Sequence, residues 1–173
     1  MSAGHVSAYE RALRLLGLRQ HFRGDLRRKL LAKGHQAAEV DEALARCASE
    51  GYLDDEATAR AFVAERQGRR GLGRARVAAE LRRHGATGEA VDTALAEVSD
   101  EGERARAATA AARWRRIHGD DSAIADPAAR RERQAALGRH LASKGFSRST
   151  VVAVLKRTGA EGAAAELEAE PAD

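Results

Sequence analysis

Seven arginines fall between residues 66 and 83, at Arg66, Arg69, Arg70, Arg74, Arg76, Arg82 and Arg83, and Glu80 is the only acid among them. Guanidinium groups present fixed forks of donors that match phosphate and carboxylate oxygens. A run of this density fits a phosphate backbone or an acidic protein surface. A solvated loop flanked by two amphipathic helix ends accounts for it equally well. Two further sets are Arg27, Arg28, Lys29 and Lys33, and then Arg113, Arg115, Arg116, Arg139 and Lys144. Both have helical spacing, with some members on a solvated face. Trp114 lies among arginines, either as the large packing residue of its helix or as a platform for a base.

The other reactive side chains do not assemble. His5, His21, His35, His84, His118 and His140 form no metal-ligand spacing with Cys47. Gly71-Leu72-Gly73 lacks the rest of a phosphate-binding loop. Ser147, Ser149 and Thr150 open a helix, where capping explains them. The expectation is therefore no catalytic residue, no metal, no cofactor and no enzyme. Cys47 is the single cysteine, which excludes an intrachain disulfide and reads as a small buried hydrophobe. No apolar run approaches the roughly 20 residues of a membrane helix, and residues 1–10 lack a signal peptide's apolar stretch. A cytoplasmic monomer without membrane contact is expected. The net charge of +4 permits a nucleic-acid or nucleoprotein partner.

The elements that carry these cations recur. Leu26, Leu30, Gly34, Val40 and Leu44 are matched 51 residues later by Val77, Leu81, Gly85, Val91 and Leu95, and a further 60 residues on by Leu137, Leu141, Gly145, Val151 and Leu155. Glu50-Gly51, Glu101-Gly102 and Glu161-Gly162 stay in register. The apolar pairs four apart share a helix face. The first glycine closes one helix in the left-handed conformation, and Thr87 and Ser147 cap the next, where Gln36 is a poorer cap. The second glycine is expected to end that helix. Further helices are expected at 8–19, 56–67 and 103–117, with a glycine-rich loop at 68–73. Asp126-Pro127 marks a helix start. With aromatics at 3% of the chain and few β-branched residues, a sheet is unfavourable. The fold expected is all-α: an elongated, curved array of three tandem three-helix repeats at residues 8–53, 54–103 and 104–162. Residues 1–7 are expected to be disordered, and 163–173 a poorly ordered acidic tail.

Gly51-Tyr52-Leu53-Asp54-Asp55, with Glu50 before it and Ala59-Arg60-Ala61-Phe62-Val63 and Arg66 after it, resembles the central hallmark of the RecX family. The stretch from Gly73 to Gly85, with Arg74, Arg76, Glu80 and Leu81, and the segment from Leu26 to Gly34 are similar too. The resemblance covers about residues 8–159 and departs at Thr58, where the family carries an aromatic. The hallmark also reads physically: Gly51 ends a helix, Tyr52 and Leu53 fold back on its apolar face, and Asp54 or Asp55 caps the next. The resemblance implies a regulator that binds the RecA filament on single-stranded DNA, in its groove, and mainly inhibits its ATPase, strand-exchange and coprotease activities in recombination, DNA repair and the SOS response. It also admits weak direct DNA binding. A helix-turn-helix DNA binder and an α-repeat scaffold for another partner are the alternatives.

Overall fold

The structure, a computed structural model, describes residues 6–169, apart from the side chain of Ser122. Among them are ten α-helices and no strand: α1 (Ala8–Leu18), α2 (Arg23–Ala32), α3 (Ala37–Ser49), α4 (Asp55–Arg70), α5 (Arg74–His84), α6 (Gly88–Ala96), α7 (Asp100–His118), α8 (Pro127–Ser143), α9 (Arg148–Arg157) and α10 (Glu161–Ala169). A 3₁₀ turn at Asp121–Ala123 precedes α8. The first nine helices form the tandem triplets that the register implies. No helix is long and apolar enough to cross a membrane.

The helix starts follow their capping residues. Ser7 and Glu10 form a reciprocal capping box at α1. The Thr87 hydroxyl accepts from the Ala90 amide at 3.3 Å, and Ser147 from Thr150 at 3.3 Å. Asp126 accepts from Ala128 and Ala129 ahead of a helix that begins with Pro127. Gln36 makes no side-chain cap.

Two compact units emerge. The first comprises the chain to Val63 together with Ala79–Ala96; the second comprises Ala64–Ala78 and Glu97 onward. In the first, α3 packs on α1 and α2, burying Ala12, Leu26, Leu30, Val40, Leu44 and Cys47. In the second, α9 packs on α7, α8 and α10 around Ala107, Leu137, Leu141, Phe146, Val151 and Leu155.

One junction between consecutive repeats lies inside each unit. In the first, the Gly24 amide, in the opening turn of α2, donates to the Gly85 carbonyl at 3.2 Å. Asp55 of α4 accepts from the Arg23 amide at 2.8 Å. In the second, the Ala75 amide of α5 donates to the Gly145 carbonyl at 3.1 Å. Glu103 of α7 accepts from the Arg74 amide at 3.2 Å. Arg23 and Arg74, Gly24 and Ala75, and Gly85 and Gly145 are register equivalents. The second helices of the first two repeats, α2 and α5, are thus capped by the following repeat, which supplies acceptors for amides that no intrahelical carbonyl reaches.

Several expectations are corrected. Gly102 and Gly162 lie inside α7 and α10 rather than ending a helix. Ser99 starts α7 early, accepting from the Gly102 amide at 3.0 Å, and the turn after α9 is made by Gly159, at φ +76°. The glycine-rich loop shrinks to residues 71–73, because α4 continues through Gly68 to Arg70; Gly71, at φ +58°, makes the turn. Residues 163–169, expected to be poorly ordered, belong to α10, which buries Ala163 and Ala164 in the core of the second unit. Residues 1–5 and 170–173, the rest of the expected disordered ends, lie outside the described residues. Tyr52 does not fold back: it is 56% exposed, while Leu53 is buried. Both their amides donate to the Cys47 carbonyl, closing α3. Asp54 caps α4, accepting from Ala57 at 2.8 Å, and Thr58 donates its hydroxyl to the Asp54 carbonyl. One turn beyond Thr58, Phe62 meets Phe22 edge-on at 6.2 Å and the His84 ring at 5.3 Å.

Candidate nucleic-acid interface

The basic residues divide by what surrounds them. Arg74 is bound within the fold: Nη1 lies 2.8 Å from Asp100, Nε lies 3.5 Å from Glu103, and Nη2 donates to the Val98 carbonyl. Glu103 is only 2% exposed, so Arg74 neutralises a carboxylate that has left water. Arg115 is likewise held, by the Thr158 carbonyl at 3.2 Å and Asp121 at 3.4 Å. Arg27 grips Asp41 through two nitrogens. Arg28 faces Asp25 at 3.5 Å, and Arg139 faces Glu132 at 2.8 Å. Arg66 is mostly covered and pairs with Glu65 at 3.2 Å. Arg76 follows the junction at Gly145, and its side chain is exposed. Lys33 is exposed at the end of α2, as are Arg82 and Arg83 in the last turn of α5.

Lys29 lies 2.8 Å from Asp25 in the first unit, whereas Arg69, Arg70, Arg113 and Lys144 converge in the second. A cavity of about 420 Å³ opens between the last turn of α4, one face of α7 and the end of α8. Gln67, Arg69 and Arg70 come from the first, with Gly71 just after it; Arg106, Thr109, Ala110, Arg113, Trp114, Ile117 and His118 from the second; and His140 from the third, with Lys144 at its C-cap. No acid lines it. Arg69, Arg70, Arg113 and Lys144 form no ion pair among the described residues, and the same holds for Arg116, exposed on α7 just outside the lining. Long side chains of one sign without counter-charges focus a positive potential in a concave surface.

Three aromatic rings are among its lining. The rings of Trp114 and His118 stand 4.4 Å apart at 34°, and the His140 ring is 6.4 Å from Trp114. Trp114 also packs against the core of the unit, so it is a packing residue with one side toward the cavity. Burial pushes the His140 pKa down, and Lys144 and His118 push the same way. Burial likewise lowers the pKa of Arg106, with Glu103 acting against it and Arg74 with it. Nε and Nη2 of Arg106 are buried without a hydrogen-bond partner.

Of the residues singled out from the sequence, the cavity gathers Arg69, Arg70 and Lys144, with Arg113 and Trp114 between them. It leaves the cluster at 27–33 in the other unit. Sequence reasoning missed Arg106, Ile117, His118 and His140. Spacing held a signal: Arg106, Ala110, Arg113 and Ile117 recur at helical intervals, and His140 stands one turn before Lys144.

Family models described as "RecX, first three-helix domain" and "RecX, second three-helix domain" match residues 8–47 and 54–95. A regulatory protein RecX from Mycobacterium sp. (strain KMS) is 34% identical over 149 residues, covering 86% of this chain and 79% of that protein. The regulatory protein RecX of Pelodictyon phaeoclathratiforme is 37% identical over 86 residues, and that of Xanthomonas citri 44% over 87. In those two matches the chain spans about half the relative's length, 54% and 53%. A crystal structure of RecX from Lactobacillus salivarius superposes with a TM-score of 0.76 at 16% identity, covering 88% of this chain and 94% of that one. A second crystal structure, of regulatory protein RecX, gives 0.73 at 25% identity, with 86% of this chain and 71% of that one covered.

Proposed function

The chain belongs to the RecX family, and from that premise we propose that it regulates the RecA recombinase by binding the filament that RecA forms on single-stranded DNA. The reading extends to a monomer acting in the cytoplasm without catalysis of its own. It lies in the filament groove and inhibits ATP hydrolysis, strand exchange and coprotease activity during recombination, repair and the SOS response. The repeat boundaries at 8–53, 54–103 and 104–162 form part of it.

The observation that carries this reading is the acid-free set Arg69, Arg70, Arg113 and Arg116, which has no ion-pair partner among the described residues. A nucleoprotein filament is a polyanion, and such groups release counter-ions on meeting it. Arg74 and Arg115 already neutralise acids of this chain, so they support the surface rather than form it. The test is co-sedimentation with RecA filaments on single-stranded DNA at fixed salt. The Arg69→Gln, Arg70→Gln, Arg113→Gln, Arg116→Gln variant is expected to lose at least tenfold in affinity with unchanged helicity. Equal affinity would remove these residues from the interface, and no binding by the unaltered chain would remove the reading.

A further inference from the structure

We propose that the cavity between α4, α7 and α8 holds one nucleotide of a single-stranded nucleic acid, its base stacked against Trp114 and its phosphates met by Arg69, Arg113 and Lys144. The inference stands on the cavity alone and does not require RecA to be the partner.

Three features point to this occupant. The first is charge. The lining holds five Lys and Arg side chains, Arg106 among them, and no acid. Cations that no acid of the lining offsets favour an occupant with phosphate oxygens.

The second is the aromatic and apolar part of the lining. An acidic peptide needs only the cations, yet the same cavity holds Trp114, the His118 ring 4.4 Å from it, and Ile117, which is 68% exposed. Aromatic rings interleaved with cations are the chemistry that holds stacked bases along a phosphate chain.

The third is shape. At about 420 Å³ the cavity is within the roughly 300–1,000 Å³ of small-ligand sites, and it lies among three helices. A base inside a duplex has no free face to stack on Trp114; an unpaired base has one.

Trp114 is the only tryptophan of the chain, so its fluorescence reports on this cavity without a label. The experiment titrates the full chain, without RecA, with unlabelled oligothymidylate at fixed ionic strength. Saturable quenching is expected. The Arg69→Gln, Arg113→Gln, Lys144→Gln variant is expected to bind at least tenfold more weakly with unchanged helicity. Its log–log salt slope should be shallower by about 1.4, since the two phosphates that flank the nucleotide each contribute about 0.7 on a single strand. Ile117→Asp, a change at an exposed position, is expected to abolish quenching by placing a carboxylate among the cations.

Absent quenching, or quenching unchanged in both variants, overturns the proposal. So does equal quenching by polyglutamate of matched charge, which makes the site a generic polyanion patch, or by thymidine triphosphate with no response to the oligonucleotide, which makes it a free-nucleotide site. Because RecA is absent, each of these outcomes leaves the filament reading to its own test.

Discussion

The Asp55 carboxylate accepts the backbone amide of Arg23 at 2.8 Å, so the first turn of α2 is capped by a side chain from the following repeat. Phe22, at the N-cap position of α2, offers no side-chain acceptor. Glu103 does the same for Arg74 at the start of α5. Burial pushes the Asp55 pKa up, while the amides of Arg23 and Thr87 favour the ionised form. Asp55→Ala is expected to destabilise the fold by about 1–2 kcal/mol, the size of a lost N-cap, and Asp55→Asn, which keeps an acceptor, by less. Urea denaturation of the three chains checks this; equal loss in both variants would mean that the charge matters and the cap does not.

Gly34 and Gly85 share a backbone conformation, at φ +88° and +89°, but not an environment. A Cβ at Gly34 meets nothing within 4 Å, whereas one at Gly85 lies 2.8 Å from the Asp25 amide nitrogen and 2.9 Å from the Gly24 carbonyl carbon. Gly34→Ala is expected to cost only the left-handed conformation, about 1–2 kcal/mol. Gly85→Ala should exceed that by at least about 2 kcal/mol, because backbone has to move at the repeat junction. Matched losses in thermal unfolding would show that the junction is not closely packed.

Arg74 and Arg69 stand five residues apart in one basic run, yet differ in consequence. Removing Arg74 deprives the buried Glu103 carboxylate of its ion-pair partner and leaves Arg106 nearby to offset its charge, a loss of up to about 3 kcal/mol. Arg69 forms no ion pair among the described residues and is exposed. Arg74→Gln is therefore expected to lower the unfolding midpoint strongly, and Arg69→Gln to leave it unchanged while weakening binding to a polyanion. A stable Arg74→Gln protein with weakened binding would return Arg74 to the interface.

Burial holds the pKa values of His21 and His140 below the ordinary histidine value; at His21 the Asp25 hydrogen bond works the other way, and at His140 Lys144 and His118 add to the effect. The unfolded chain takes up protons at these sites near pH 6.5, whereas the folded chain resists until lower pH. Their contribution to stability is complete above the unfolded value and is lost as pH falls below it. The urea midpoint is expected to drop between pH 7.5 and 5.5, and less so in His140→Gln. An identical drop in the variant would exclude His140 as a source.

The fold was legible because its signals are local and repeated. The apolar pair at Leu26 and Leu30, the turn glycine Gly34 and their counterparts fix two helices of each repeat, and Thr87 and Ser147 cap where the pattern placed them. Gly102 misled, because a glycine two residues into a helix reads in sequence like one that ends it, and Ser99 decides between them. The junctions were not legible: the contacts of Asp55 with Arg23 and Glu103 with Arg74 join residues 32 and 29 apart, and no spacing rule links them. The site was partly legible for the same reason. A basic run shows where cations are, but not that Asp100 and Glu103 neutralise Arg74, nor that His140 and Lys144 of α8 reach the cavity that Arg69 lines.

The central claim, that the chain regulates RecA through its filament, is tested most directly by the single-stranded-DNA-dependent ATPase rate of the cognate RecA titrated with this protein at fixed salt. A dose-dependent fall that begins well below one chain per RecA protomer is expected. An unchanged rate, with no binding to the filament at the same concentrations, would contradict the claim.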